Sequence, residues 1–173
     1  KKPKLISLRP DLITIYYLLV IFFNYFKGDN NLLTKIFNIF LKKGYNIIDP
    51  KKLLKDFLAS NDKNNYTLFV KKIKIKQIKK YFLLSKTFGK KDIGQAIIIS
   101  NGKIILYENS NGTDDLIYRF KKLNKDKEFS ILVKTSKPNQ NMYLDVPTIG
   151  PKTILNMHIA KIKGIILEHN KTF

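Results

Sequence analysis

The spacing of apolar residues changes along the chain, and the changes mark its elements. Leu12 to Phe26 is almost continuously apolar and follows Pro10-Asp11, a helix-start signal. Its uninterrupted core is about a dozen residues, short of the roughly 20 that span a bilayer. Thr14 and Asn24 interrupt it, and Lys27-Gly28-Asp29 ends it. A buried helix is expected, with an interfacial aromatic helix touching lipid as the alternative. Leu32, Leu33, Ile36, Phe37, Phe40 and Leu41 then share one face at helical spacing, predicting a helix from about Asn31 to Lys43 that Gly44 closes. Tyr45 to Ile48 reads as a short strand. Asp49-Pro50 caps a third helix whose apolar side carries Leu53, Leu54, Phe57 and Leu58. Ser60 to Asn65, S-N-D-K-N-N, is a linker. It divides the chain into 1–62 and 63–173.

Beyond the linker, Lys71 to Lys80 alternates like a strand, but Ile75, Ile78, Phe82, Ser85 and Phe88 fit a helix ending at Gly89, which uses more of the segment. Gln95 to Ser100 and Lys103 to Glu108 are strands joined by Asn101-Gly102, a strong two-residue hairpin signal. Asn111-Gly112-Thr113-Asp114 is a turn opening a helix from about Asp115 to Leu123, with Thr113 or Asp114 as N-cap. Phe129 to Thr135 is apolar enough for a central strand. Met142 to Asp145 is expected to be extended, followed by a helix from Pro151 to about Lys163 and a strand from Ile165 to Glu168. Interleaved strands and helices give an α/β class with a mixed sheet in the C-terminal domain. The part before it is mostly helical.

Composition narrows this picture. The chain has 33 Lys+Arg against 13 Asp+Glu, a formal charge of +20, so its surface attracts anions. Arg9 and Arg119 are the only arginines. Base readout and bidentate phosphate recognition lean on arginine, so the charge is a general bias and no nucleic-acid partner is expected. There is no cysteine, which excludes disulfides and thiolate metal sites. The two histidines, His158 and His169, have no partner at ligand spacing.

Polar residues gather at the ends of elements in the second half, where chemistry sits in such folds. They are Asp92, Gln95, Glu108, Thr113, Asp114, Lys134, Lys137, Gln140, Asp145 and Thr153. In Tyr143 to Thr153, Asp145 precedes Val146-Pro147, which forces extended backbone, and Gly150-Pro151 opens a helix. A carboxylate at a strand end thus stands near a helix N-terminus, a natural place for phosphate. The same spacing also fits a purely structural corner. Lys134 and Lys137 could neutralise a phosphate as point charges, and carboxylates could hold a hard divalent cation. The sequence has no G-x-S-x-G elbow, no P-loop and no G-x-G-x-x-G. Water is then the nucleophile to expect, in metal-assisted hydrolysis of a phosphate ester or anhydride.

Several motifs stand in one order: D-I-G-Q-A at Asp92 to Ala96, E-x-x-x-G-T-D at Glu108 to Asp114, and L-V-K-x-x-K-P-x-Q at Leu132 to Gln140. D-V-P-T-I-G-P-K-T at Asp145 to Thr153 and G-I-x-x-E at Gly164 to Glu168 complete the series. Together they resemble the LpxI-type UDP-2,3-diacylglucosamine pyrophosphatases of lipid A synthesis in Gram-negative bacteria. The first sixty residues resemble the later part of that family's α/β amino-terminal domain, including K-P-x-L-x-x-L-R-P-D at Lys2 to Asp11. The resemblance implies a Mg²⁺-dependent hydrolase that is cytoplasmic, peripheral to the inner membrane, and acts on a lipid substrate, UDP-diacylglucosamine. Water would attack the α-phosphorus and release UMP and 2,3-diacylglucosamine 1-phosphate. It also implies Asp145 as the catalytic residue, and Gln95, Thr113, Lys134, Lys137, Gln140 and Thr153 as substrate-binding residues. Asp114, Asp145 and Asp92 would be the metal ligands, and a homodimer stays open.

The chain departs from the family pattern in three ways. Asn111 replaces the usual Glu before Gly-Thr-Asp, removing a charge near the site. Asn139 replaces a Gly after Lys-Pro, a mild change because Asn tolerates left-handed backbone. The family's glycine-rich amino-terminal start and its tail after the last motif are missing. Truncation at both ends is therefore expected, and with it an alternative: a catalytically impaired remnant with residual ligand binding only.

Overall fold

A computed structural model of the 173-residue chain describes residues 10–26, 29–60, 73–123 and 129–173. It divides into two compact units, Lys1–Ile47 and Ile48–Phe173. The first unit holds α1 (Leu12–Tyr25) and α2 (Asp29–Lys42). The Asp11 side chain caps α1 by accepting from the Thr14 N–H at 2.7 Å. Gly44, at φ +81°, closes α2. The Tyr45 N–H reaches back to Phe40 O at 3.1 Å and the Gly44 N–H to Leu41 O at 3.0 Å, a Schellman closure. The expected burial of α1 is not observed: none of its residues is buried, and Leu12, Phe23 and Phe26 are 86%, 64% and 72% exposed. The helix is apolar all round, so packing one face on a single neighbour leaves the rest uncovered. Tyr45 to Ile48 does not form a strand either.

The second unit begins with α3 (Pro50–Leu53), capped by Asp49 as expected, and a 3₁₀ turn over Lys55–Phe57. The linker reading at Ser60 to Asn65 falls almost wholly outside the described residues. Residues 48–60 attach to the C-terminal end through Ala59, whose N–H donates to Thr172 O at 2.8 Å and whose carbonyl accepts from Asn170 N–H at 3.1 Å. The composition break at 62/63 and the division at Ile47/Ile48 therefore assign this short segment differently.

The centre of the unit is a four-stranded mixed sheet of order β2-β1-β3-β4. Its strands are β1 (Ala96–Ser100), β2 (Lys103–Tyr107), β3 (Ser130–Lys134) and β4 (Gly164–Leu167). β1 runs antiparallel to both neighbours, and β3 is parallel to β4. Asn101 (φ +46°) and Gly102 (φ +80°) make the hairpin turn, both in the left-handed region that a type I′ turn requires. Alternation along the two central strands separates two cores. Ala96, Ile98 and Leu132 face α5 (Gly112–Lys122) and α6 (Pro151–Ile159) through Leu116, Phe120 and Met157. Ile97, Ile99, Ile131 and Val133 face α4 (Ile75–Gly89) through Tyr81 and Phe88. Every residue of β1 and β3 is buried, which fits central strands covered by helices on both faces.

Apart from strand ends that shift by about a residue and the early end of α3 at Leu53, the structure departs from the sequence reading around α5, α6 and Met142 to Asp145. α5 starts at Gly112, so Thr113 and Asp114 lie in its first turn, and neither caps it. α6 stops at Ile159, because Lys161 (φ +56°) takes the left-handed position and the Ile162 N–H bonds Met157 O at 2.9 Å. Met142 to Asp145 is a turn and not an extended return: the Leu144 and Asp145 N–H groups both bond Asn141 O, at 3.1 and 2.9 Å.

Candidate active site

The sheet topology brings the C-terminal ends of β2, β3 and β4 and the start of β1 to one edge. Glu108 follows β2, Lys134 ends β3, Glu168 follows β4 and Gln95 precedes β1. α5 and α6 both start at this edge, since each follows a strand that ends there. Ligands bind at such edges because loops and helix N-termini converge on them.

Lys134 is the centre of the arrangement. Its side chain is buried, and its ammonium donates to Thr113 Oγ1 at 2.9 Å and to Thr148 O at 3.0 Å. Burial pushes its pKa below the ordinary 10.5, while the charges of Glu108, Asp145 and Asp114 pull it back up. The Thr113 hydroxyl in turn donates a hydrogen bond to Glu108 Oε1 at 2.6 Å. The other carboxylate oxygen of Glu108 accepts from the backbone N–H of Gln95 and, at 3.1 Å, of Ala96. This contact depends on Gly94. A Cβ there would lie 2.8 Å from Glu108 Cβ and 2.9 Å from Glu108 O, closer than carbon and oxygen tolerate. The Gly of D-I-G-Q-A is thus a close-approach residue.

Asp145 is reached through a second chain of contacts. Gln140 donates to Asp145 Oδ2 with its amide nitrogen and accepts the Lys137 N–H at 2.9 Å with its oxygen. Lys137 Nζ pairs with Asp92 Oδ1 at 2.8 Å, and Asp92 itself takes φ +56°. The loop after β3 is pinned at successive residues. Thr135 meets the Ser85 hydroxyl at 3.1 Å, and the Ser136 N–H and hydroxyl each bond Glu168 at 2.8 Å. Glu168 also pairs with Lys86 at 2.6 Å and Lys171 at 3.1 Å. After Asp145 in the chain, the loop is held by Phe173, whose N–H donates to Pro147 O at 2.9 Å and whose carbonyl accepts from Ile149 N–H at 2.7 Å.

The structure therefore joins Lys134, Thr113 and Glu108 by hydrogen bonds, with the Gln95 backbone on Glu108. Asp145 and Asp114 lie in electrostatic reach of Lys134, and Asp114 is tied to Thr153 at 2.9 Å. Gln140 holds Asp145, and Lys137 is neutralised by Asp92, so it does not stand as a second open cation. Asp145 is not at a strand end but on the turn held by Asn141. Asp92, Asp114 and Asp145 do not gather into a metal cage. Each has a different partner, and among the described residues no group of three or more His, Asp or Glu is placed to hold a metal ion. A three-carboxylate site does not fit this arrangement. Asp114 or Asp145 still fits the simpler demand of Mg²⁺, which keeps several waters and takes one or two carboxylates with substrate phosphates. Glu108 stands among the polar residues at element ends and opens the E-x-x-x-G-T-D motif, but the sequence assigns it no role. Its contacts to Thr113, Gln95 and Ala96 appear only in the fold. Gln95 Oε1 is buried with no hydrogen-bond partner among the described residues, which suits a group awaiting a ligand donor.

Comparison with known proteins identifies relatives of the chain. The LpxI C-terminal domain family matches residues 65–173. A curated relative, the UDP-2,3-diacylglucosamine pyrophosphatase LpxI of Caulobacter vibrioides, is 26% identical over 148 residues, covering 82% of this chain and 52% of the relative. The chain thus spans about half the length of the curated relative it matches. With the family match covering most of the chain and enclosing Lys134, Asp145 and their partners, the chain belongs to the LpxI family.

Proposed function

We propose that the chain acts in lipid A biosynthesis as a hydrolase of UDP-2,3-diacylglucosamine, the substrate named for its relative. Water attacks the α-phosphorus, the bond from that phosphorus to the bridging oxygen breaks, and UMP and 2,3-diacylglucosamine 1-phosphate leave. The observation that carries this reading is the buried Lys134 ammonium, held by Thr113 and Thr148 at an edge where two helices begin. A buried cation stabilises charge developing on a phosphoryl oxygen more strongly than one in water. Asp145, oriented by Gln140, is suited to take the proton of the attacking water. Gln95 and Thr153 then line the substrate. Asp114 or Asp145 would hold Mg²⁺, which would supply charge neutralisation. We place the reaction at the cytoplasmic face of the inner membrane as part of this proposal; the lipid substrate, the exposed apolar surface of α1 and the charge of +20 support contact with an anionic lipid surface.

The test is release of UMP by the 1–173 chain from UDP-2,3-diacylglucosamine with Mg²⁺. Asp145→Asn should lower kcat by about 10²-fold or more with KM little changed, the scale of a lost general base. Unchanged turnover in that variant overturns the assignment. Binding of UDP without UMP release would favour a protein that keeps the site but not the reaction.

A further inference from the structure

Lys134 is an ammonium with three N–H donors, and two of them point at Thr113 Oγ1 and Thr148 O. Which way the Thr113 hydroxyl proton points decides whether Thr113 can receive the first of these. Glu108 is buried at 6% exposure, accepts two backbone N–H groups on one oxygen, and takes the Thr113 proton on the other. An ionised carboxylate is acceptor only. With the proton committed to Glu108, the lone pairs of Thr113 face Lys134.

We propose that Glu108 is a positioning residue, which acts through Thr113 to hold the Lys134 ammonium with its third N–H directed at an oxygen of a bound diphosphate. The inference rests on the hydrolase reading for its choice of ligand, and it adds a residue that touches neither substrate nor water. Its chemistry is specific to the carboxylate. Glu108→Gln keeps the shape, but the amide oxygen suffices only for the backbone N–H groups. The amide nitrogen then faces Thr113, turns the hydroxyl proton towards Lys134, and sets donor against donor. Thr113→Val removes the relay outright, and Thr113→Ser keeps it.

The experiment measures UDP binding by calorimetry in the presence of Mg²⁺, together with UMP release, for the full 1–173 chain and its variants. Glu108→Gln and Thr113→Val should each weaken UDP binding by about tenfold or more, the scale of a lost hydrogen bond to a charged group. The double variant should bind no more weakly than the worse single one, because both break the same relay. Thr113→Ser should bind within about twofold of the parent. A general structural role for Glu108 would instead give losses that multiply in the double variant, and that outcome overturns the proposal. So does parent-like binding by Glu108→Gln, or failure of the parent to bind UDP. If Glu108→Gln does not fold, equal binding by Thr113→Val and Thr113→Ser overturns it, and a loss confined to Val supports it. A parent chain that shows the expected binding pattern but releases no UMP sinks the hydrolase reading and leaves the positioning role standing.

Discussion

At the scale of single residues, burial decides which charges do work. Lys134 and Glu108 are both buried, but their carboxylate and ammonium never touch; Thr113 stands between them. That spacing leaves the lysine capable of engaging something else, which a closed ion pair would prevent. Gly94 makes it possible. Gly94→Ala should force β1 and the Glu108 backbone apart and destabilise the second unit by about 1–3 kcal/mol, read as a lower urea midpoint. Glu168 offers a pH test away from Lys134. Burial alone would raise its pKa, but hydrogen bonds from Lys86, Ser136 and Lys171 outweigh this and hold it below the ordinary 4.5. A carboxylate whose folded pKa is depressed adds stability above its unfolded value and loses it as pH falls through the folded one. The contribution of Glu168 should therefore be complete above the unfolded value near pH 4.5, decline below it, and be gone once the pH has fallen through the lower folded pKa. Unfolding midpoints of Glu168→Gln and the parent, measured from pH 7 downward, should converge in acid.

At the scale of elements, turn chemistry governs both the success and the failure of reading this sequence. Asn101-Gly102 announces its hairpin because both residues must take positive φ, and they do. Gly102→Ala has room for the new methyl, since Tyr81 Oη is 3.6 Å away, so only backbone strain remains. It should cost about 1–2 kcal/mol, measurable by urea unfolding. The helix starts at Asp11, Asp49 and Pro151 were equally legible from capping residues. Lys161 carried no such signal: lysine is an ordinary helix former, and only the tertiary need to send Gly164 into β4 makes α6 close there. Asp145 was placed at a strand end because Val146-Pro147 demands extended backbone, but the constraint applies to Val146 and does not reach back across the Asn141 turn. Within the site, the motifs named Lys134 and Thr113, which the fold joins by a 2.9 Å hydrogen bond. What linear spacing could not show is which carboxylate each cation takes, and that is why Lys137 proved committed to Asp92.

At the scale of the whole molecule, the C-terminal residues act as a seam. Residues 169–172 fasten the 48–60 segment through Ala59, while Phe173 lies alongside Pro147 and Ile149. A chain of residues 48–173 should fold with an unfolding midpoint close to that of the second unit in the full chain. Removing 48–60 as well gives up the two Ala59 backbone bonds and should cost about 1–3 kcal/mol, visible as a lower thermal midpoint. Phe173 carries one more consequence. Its backbone bonds the loop after Asp145 at Pro147 and Ile149, so its half-buried ring shares whatever displacement that loop undergoes. A fluorine atom on that ring would act as a spectroscopic reporter: its resonance should shift when UDP is added, signalling occupancy without a label on any residue that handles the ligand.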